Sequence, residues 1–116
     1  MERLFCTELL IGKEKVKKIR GSFVTVIGLG AVGSYAAEAL ARIGVGRLRL
    51  VDFDKIKMTN FNRNLLTLGS TLGTPKVKAA QARIAEINPA CKVEALEMFA
   101  ADDTFDEIFK EKPDLV

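Results

Sequence analysis

Residues 23–34 read FVTVIGLGAVGS, an apolar run rich in β-branched residues that leads into three closely spaced glycines. Such a run is typical of a strand buried on both faces, and the glycines allow the backbone to turn tightly beside a phosphate-bearing ligand. Asp52 follows Gly33 by nineteen residues, at the end of the next predicted strand, where its carboxylate could bind ribose hydroxyls. The pattern therefore predicts a nucleotide site, although an ordinary glycine turn in a βαβ unit would explain the glycines alone.

Length and composition narrow the class of protein. The chain has 116 residues, the size of one domain, and its 48% hydrophobic and 28% charged residues are typical of a globular protein. We expect no membrane span, because no apolar stretch approaches about 18 uncharged residues, and no secretory signal, because the first residues are charged. Cys6 and Cys91 are far apart and histidine is absent, which excludes a recognisable zinc site. We interpret both as reduced thiols of a cytoplasmic protein.

The excess of positive charge lies at the amino terminus. Residues 1–20 hold six basic and three acidic side chains, whereas residues 21–116 hold twelve of each. The basic flank consists of Lys13, Lys15, Lys17, Lys18 and Arg20. It could attract RNA electrostatically, or it could be the solvated face of a helix.

Strands and helices are predicted to alternate along the chain. The hydrophobic pattern gives, in order, a helix over 7–20, a strand over 22–28, a helix over 31–43, a strand over 46–52, a loop with short helical turns over 55–73, a helix ending near 87, a strand over 92–98, a helix over 103–111 and a strand opening at 114. We expect Gly44 to cap the second helix, Thr74 and Pro75 to start the third, and an Asp102–Asp103 cap to start the last.

This alternation predicts an α/β fold with a Rossmann-like parallel sheet, the first half of a doubly wound domain, preceded by an N-terminal helix. Right-handed crossovers place the strands in the order 3-2-1, with the second and third helices on the same face. The ligand crevice of such a sheet lies between strands 1 and 4. We therefore expect residues 1–116 to form the N-terminal part of one nucleotide-binding domain, truncated at the start of strand 4.

The segment after Asp52 contains polar and cationic residues that a nicotinamide enzyme does not need. Asn60 and Arg63 are three residues apart, so a single helical turn would place them on one face. Lys76 is in the first turn of a predicted helix, where the helix dipole disfavours a cation by about 0.3–1 kcal/mol. These residues could bind a triphosphate, or Arg63 and Lys76 could be solvated surface charges.

Four motifs together resemble the E1-like adenylating superfamily, which includes the ubiquitin-activating enzymes and the activators of sulfur carriers. They are GLGAVGS at 28–34, VDFD at 51–54, TNFNR at 59–63 and GTPK at 73–76. Within that superfamily, TELLIG at 7–12, EALARIGVG at 38–46 and EINP at 86–89 are most similar to the tRNA threonylcarbamoyladenosine dehydratases. Those enzymes use ATP to activate the carboxylate of a threonylcarbamoyl group on tRNA and then close it to a cyclic form.

The resemblance implies a role for each candidate residue. Gly28, Gly30 and Gly33 would contact ATP, Asp52 would bind its ribose with Asp54 nearby, and Asn60, Arg63 and Lys76 would hold the phosphates. Arg63 and Lys76 would be the catalytic residues, with Mg²⁺ as a second cofactor and no metal ligand assigned in this chain. Catalysis would rest on positioning and on neutralising charge in the transition state. The family also implies a homodimer with a tRNA substrate.

The sequence departs from the family at three places. Asn64 stands where glutamine is usual, and Cys6 stands where an arginine usually reaches the partner subunit's ATP, with Arg3 as the other candidate for that role. The family's magnesium-associated aspartate would follow Val116, so we expect this stretch alone to be inactive. Two other functions remain open: activation of the C-terminal glycine of a ubiquitin-like sulfur carrier, and an NAD-binding dehydrogenase module.

Overall fold

The computed structural model describes residues 2–116. Its helices and strands alternate from the third element onward, and they are α1 (Phe5–Ile11), α2 (Lys13–Arg20), β1 (Phe23–Ile27), α3 (Gly33–Ile43), β2 (Arg47–Asp52), α4 (Lys76–Ile87), β3 (Lys92–Glu97) and α5 (Phe105–Phe109). Short 3-10 turns lie at Glu2–Leu4, Met58–Asn60, Gly69–Thr71 and Asp102–Thr104. Over these residues, no helix combines the length and the apolar character needed to cross a membrane.

The three strands form a parallel sheet with β2 in the centre, which confirms the predicted 3-2-1 order. Val24 of β1 lies beside Leu48 of β2, which lies beside Val93 of β3. The last described residues lie along the other edge of β1: the Thr25 N–H donates to the Leu115 carbonyl at 2.9 Å. A strand starting near residue 114 was predicted at this edge, and the pairing agrees with it.

Helices α3 and α4 cover the same face of the sheet, as right-handed crossovers require. Their small and aliphatic side chains pack on alternate strand residues, and the buried cluster includes Val24, Leu48, Leu50, Ala37, Ala41, Val77 and Ile84. The predicted cap of α3 is confirmed. Gly44 has a φ of 102°, a left-handed conformation that glycine adopts readily and that ends the helix.

The opposite face of the sheet buries an arginine beneath α5. The Arg49 side chain is 0% exposed, and its Nε donates to Glu94 Oε1 at 2.6 Å. Its Nη1 donates to the carbonyls of Ile108 and Lys110 at 2.8 and 2.7 Å. Because a buried charge is costly unless it is paired and hydrogen-bonded, these bonds fix the carboxyl end of α5 against β2.

The amino-terminal segment differs from the predicted single helix over 7–20. Gly12 has a φ of 89° and divides it into α1 and α2, since its N–H donates to the Glu8 carbonyl and its own carbonyl accepts from the Val16 N–H. Glycine adopts such a positive φ at little cost. The chain can therefore change direction between α1 and α2, and α2 places Val16 and Ile19 against the rest of the protein.

Two predicted helix caps were also wrong. Pro75, not Thr74, is the N-cap of α4, because the Thr74 carbonyl is occupied by the Ile56 N–H in a short antiparallel pairing. Before α5, the Asp102–Asp103 pair lies within a 3-10 turn that Thr104 closes, its hydroxyl accepting from the Ala101 N–H at 2.9 Å.

A charged contact joins α3 to α4 and yields a first prediction. Arg83 of α4 and Arg42 of α3 both donate to Glu38, and the Arg83 hydrogen bond is the main reason that the pKa of Glu38 lies below its usual 4.5. A depressed pKa contributes stability above the unfolded value, and that contribution is lost as the pH falls through the folded value. We expect Glu38→Gln to lower the free energy of unfolding by about 1 kcal/mol at pH 7.

Urea denaturation at several pH values would measure this effect. The difference between the unaltered protein and Glu38→Gln should shrink as the pH falls from 4.5 through the lowered pKa of Glu38, because the carboxylate becomes protonated over that range. A difference that stays constant down to acid pH would show that the charge of Glu38 does not join the two helices.

Candidate functional site

The glycine loop lies where β1 ends and α3 begins. Gly28 has a φ of 92°, and its N–H donates to the Val51 carbonyl at 2.7 Å, which joins the loop to the end of β2. A Cβ at Gly33 would lie 1.7 Å from the Gly28 carbonyl oxygen, so only glycine fits there. A Cβ at Gly30 would meet no atom within 4 Å. Gly28 and Gly33 are thus required by the backbone itself, whereas Gly30 faces open space.

Asp52 holds this loop in place. Its Oδ2 accepts from the Leu29 N–H at 2.7 Å, and its Oδ1 accepts from the Asp54 N–H at 2.8 Å. A carboxylate has about four acceptor sites, so each oxygen can still bind one more donor. The predicted ribose-binding residue therefore also organises the backbone around it.

Asn64, which the sequence marks only as a departure from the family's usual glutamine, supports the glycine loop. Its side chain is buried, its Nδ2 donates to the Leu29 carbonyl at 2.8 Å, and its Oδ1 accepts from the Leu66 N–H at 2.9 Å. Leu29 is consequently held from both sides, by Asp52 and by Asn64. The available signal was an asparagine followed by two leucines, a polar residue entering an apolar segment.

Asn60 and Arg63 both fold back on their own segment. Asn60 Oδ1 accepts from the Lys57 N–H at 3.1 Å, and Arg63 Nη1 donates to the Thr59 carbonyl at 2.8 Å and to Asn62 Oδ1 at 2.9 Å. The Arg63 side chain is exposed. The Arg63 N–H donates to the Asn60 carbonyl at 3.2 Å, so the two residues belong to one turn, but no hydrogen bond joins their side chains within residues 2–116.

Lys76 is the most unusual of the predicted site residues. Its side chain is only 6% exposed, in the first turn of α4, and its backbone N–H donates to the Asp54 carbonyl at 3.0 Å. The ammonium group makes no ion pair or hydrogen bond with any side chain or carbonyl in the described part of the chain. The stem of the side chain is buried, whereas the ammonium nitrogen keeps contact with the surface, because it is not among the fully enclosed side-chain atoms that lack a partner. The arrangement is therefore suited to an anionic ligand.

An apolar pocket of about 220 Å³ opens beside Asp52, at the carboxyl ends of all three strands. Its lining comprises Ile27, Gly28, Val51, Asp52, Phe53, Met98, Phe99 and Ala100. The Phe53 and Phe99 rings pack edge to face, with centroids 5.1 Å apart. Phe53, Met98 and Phe99 were missed as site residues, although the strand order alone places the ends of β2 and β3 side by side.

Metal ligands and reactive thiols are not evident in residues 2–116. No group of three or more His, Cys, Asp or Glu side chains there could hold a metal ion. Cys6 is exposed and Cys91 is buried, and both are free thiols. Burial raises the pKa of the Cys91 thiol, which makes it a poor nucleophile at neutral pH.

Comparison with known proteins gives a consistent result. Residues 5–116 match the ThiF family. The chain is 55% identical over 102 residues to the tRNA threonylcarbamoyladenosine dehydratase of Bacillus subtilis, covering 88% of this chain and 40% of that protein. It is 39% identical over 92 residues to the molybdopterin-synthase adenylyltransferase of Salmonella typhimurium, covering 79% of this chain and 36% of that protein.

A solved structure shows the same fold. The crystal structure of E. coli tRNA N6-threonylcarbamoyladenosine dehydratase in complex with ATP superposes with a TM-score of 0.93 at 34% identity, over 97% of this chain and 46% of that one. This chain thus spans less than half the length of these relatives.

Proposed function

The chain belongs to the ThiF family, and on that basis we propose that the full-length protein is an ATP-dependent tRNA threonylcarbamoyladenosine dehydratase. In this proposal residues 1–116 form the amino-terminal part of its nucleotide-binding domain. The observation that carries the proposal is the Lys76 side chain, whose stem is buried and whose ammonium reaches the surface without an ion-pair partner in the described part of the chain, at the carboxyl ends of the strands where the glycine loop lies. The similarity to a dehydratase solved with ATP supports the same assignment.

The nucleoside half of ATP would bind between the glycine loop and the apolar pocket. The pocket beside Phe53 and Phe99 is apolar, which suits a base, and it adjoins Asp52, whose free acceptor sites suit ribose hydroxyls. Gly30 leaves room for a ligand, because nothing occupies the space where its side chain would be. Gly28 and Gly33 would give the loop the shape that allows this approach.

The phosphates would be held by the two cationic side chains of the site, Lys76 and Arg63. Lys76 would contribute its ammonium from the start of α4, and Asp54 would fix the position of that helix through its carbonyl. Arg63 is exposed and bonded only to its own turn, so it can rotate toward a phosphate at low cost, with Asn60 beside it. Arg63 and Lys76 are the catalytic residues of the proposal, since they would neutralise charge that develops on the phosphates.

ATP supplies an α-phosphorus for a carboxylate to attack, with pyrophosphate as the leaving group. This chain's residues would orient the nucleotide, keep it partly out of water and stabilise charge, which is most of what phosphoryl-type transfer requires of a protein. Mg²⁺ remains the second cofactor of the proposal, although residues 2–116 hold no group of three or more His, Cys, Asp or Glu side chains that could ligate it. We therefore assign no step to that ion.

The subunit arrangement and location belong to the same proposal. We propose a homodimer, because α1 exposes Phe5, Leu9 and Leu10, large apolar side chains of the kind that subunit interfaces bury. Arg3 donates from Nε to the Ile87 carbonyl at 3.1 Å, so a role at the partner's ATP would require it to leave that bond. A cytoplasmic location is consistent with the free thiols of Cys6 and Cys91.

Activation of a ubiquitin-like sulfur carrier is the second candidate. The 39% identity to a molybdopterin-synthase adenylyltransferase supports it, although the 55% identity to a dehydratase gives the first candidate more support. Membership of the ThiF family favours adenylation over the NAD-dependent dehydrogenase alternative that the glycine loop alone left open.

The substrate can be identified by the ATP consumption of the full-length protein. We expect AMP formation with tRNA that carries threonylcarbamoyladenosine, at a rate at least tenfold above that with the same tRNA lacking the threonylcarbamoyl group. AMP formation that depends on a carrier protein ending in glycine, and not on modified tRNA, would support the second candidate. Strong protection of the fold by NAD and none by ATP would contradict both.

A further inference from the structure

Helix α2 concentrates the positive charge of the chain on one short element. Residues 13–20 hold five basic side chains and one acidic side chain, a local net charge of +4, whereas the whole chain has +3. All five basic side chains are exposed. None of them lies within ion-pair distance of a carboxylate in the described part of the chain.

Helix stability does not explain this charge. Lys17, Lys18 and Arg20 are in the last turn, where cations interact favourably with the helix dipole. Lys13 and Lys15 are in the first turn, where the dipole disfavours them, and Lys13 and Lys17 are a like-charge pair four residues apart. A cluster that opposes the local rules of its helix indicates a function for the charge.

The basic residues divide into two sets on the two sides of α2. Val16 and Ile19 face inward. Lys13, Lys17 and Arg20 have the spacing i, i+4 and i+7, so they form a stripe about 10 Å long on one side, the basic stripe. Lys15 and Lys18 lie on the other side of the same helix.

The basic stripe borders a groove of about 350 Å³. Lys17 and Arg20 line the groove. Its other lining residues include three glycines in the loops that precede β1 and β2, which are Gly21, Gly44 and Gly46. The groove is rigidly built, since a Cβ at Gly46 would lie 1.9 Å from the Arg20 carbonyl oxygen. It lies at the amino ends of the strands, and the nucleotide site is at the carboxyl ends.

We propose that the basic stripe and its groove bind the phosphate backbone of the tRNA substrate, away from the base that reacts. This inference rests on the proposed function. Exposed, unpaired lysine and arginine side chains suit phosphates, whereas lysine is depleted in interfaces between proteins. The amino and carboxyl ends of the strands are separated by the strand length, about 20 Å for six residues. A single ligand that contacts both ends must therefore be a macromolecule.

The test compares two double variants of the full-length protein that remove the same charge from the two sides of α2. Lys17→Gln/Arg20→Gln alters the basic stripe, and Lys15→Gln/Lys18→Gln is the matched control. Binding of threonylcarbamoyl-modified tRNA is measured over a range of salt concentrations, and ATP binding is measured on the same samples. We expect the stripe variant to bind tRNA about tenfold more weakly, with a salt slope reduced by about 1.5–2. The control variant should keep nearly unaltered tRNA affinity, and both should bind ATP normally.

Equal tRNA affinity in the stripe variant and the unaltered protein would overturn the inference while leaving the proposed function intact. Equal weakening in both variants would also overturn it, because a general charge effect would then suffice. If a polyglutamate probe lost affinity for the stripe variant and tRNA did not, the surface would bind an acidic protein instead. A full-length protein that binds no tRNA at all would contradict the proposed function, and this inference with it.

Discussion

Lys76→Met is expected to lower ATP-dependent activity at least tenfold while leaving the protein as stable as before or more stable. The residue is 6% exposed and its ammonium has no partner among the described residues, so methionine fills the space of the buried stem without breaking a contact. Tenfold corresponds to about 1.4 kcal/mol of transition-state stabilisation, less than a typical charge-assisted contact contributes. Thermal unfolding and steady-state rates of AMP formation measure the two effects.

Lys78→Met is the matched control for this experiment. Lys78 lies two residues further along α4 and is exposed, so its replacement should change the rate by no more than about twofold. A Lys76→Met protein with a normal rate of AMP formation would show that the Lys76 ammonium does not bind the phosphates of ATP. A Lys76→Met protein that unfolds far more easily would show that the lysine has a structural role.

Gly33→Ala is expected to destabilise the protein by about 1–3 kcal/mol or more and to abolish nucleotide binding. The added Cβ would lie 1.7 Å from the Gly28 carbonyl oxygen, so either the start of α3 or the glycine loop must move. Since the Gly28 N–H is hydrogen-bonded to the Val51 carbonyl at the end of β2, that movement would also shift the carboxyl ends of the strands, where the site lies. Denaturant unfolding and ATP titration of the full-length protein would measure both losses.

Gly30→Ala serves as the comparison for stability alone. A Cβ there would meet no atom within 4 Å, so the free energy of unfolding should change by less than about 1 kcal/mol. If Gly33→Ala were as stable as Gly30→Ala, the close packing of the loop on itself would not hold the site.

Local signals were sufficient for the fold. The alternation of apolar runs with helical patterns predicted the parallel sheet and its order, and Gly44 marked the end of α3 because a left-handed residue is needed there. The errors occurred where distant contacts decide the local structure. Thr74 could not cap α4 because its carbonyl pairs with Ile56, a partner that the sequence near Thr74 does not indicate.

The site was less predictable than the fold. Motif spacing predicts the glycines, Asp52, Arg63 and Lys76 as site residues, but it could not show that Lys76 is buried, since burial depends on the packing of distant segments. The role of Asn64 depends on a bond to the Leu29 carbonyl, 35 residues away. The burial of Arg49 in β2 was likewise not predictable from the nearby sequence, because its partners Glu94 and Ile108 come from β3 and α5.

If this site activates a carboxylate with ATP, an oxygen atom of that carboxylate must pass into AMP, and isotope labelling can detect that transfer. The full-length protein would be supplied with ATP and with tRNA whose threonylcarbamoyl carboxylate oxygens carry ¹⁸O, and the products would be analysed by mass spectrometry. If the carboxylate attacks the α-phosphorus, one of its oxygens leaves with AMP when the ring closes, so the AMP must contain ¹⁸O. Two results would contradict attack of the carboxylate on the α-phosphorus: formation of ADP with ¹⁸O in inorganic phosphate, or formation of AMP without the label.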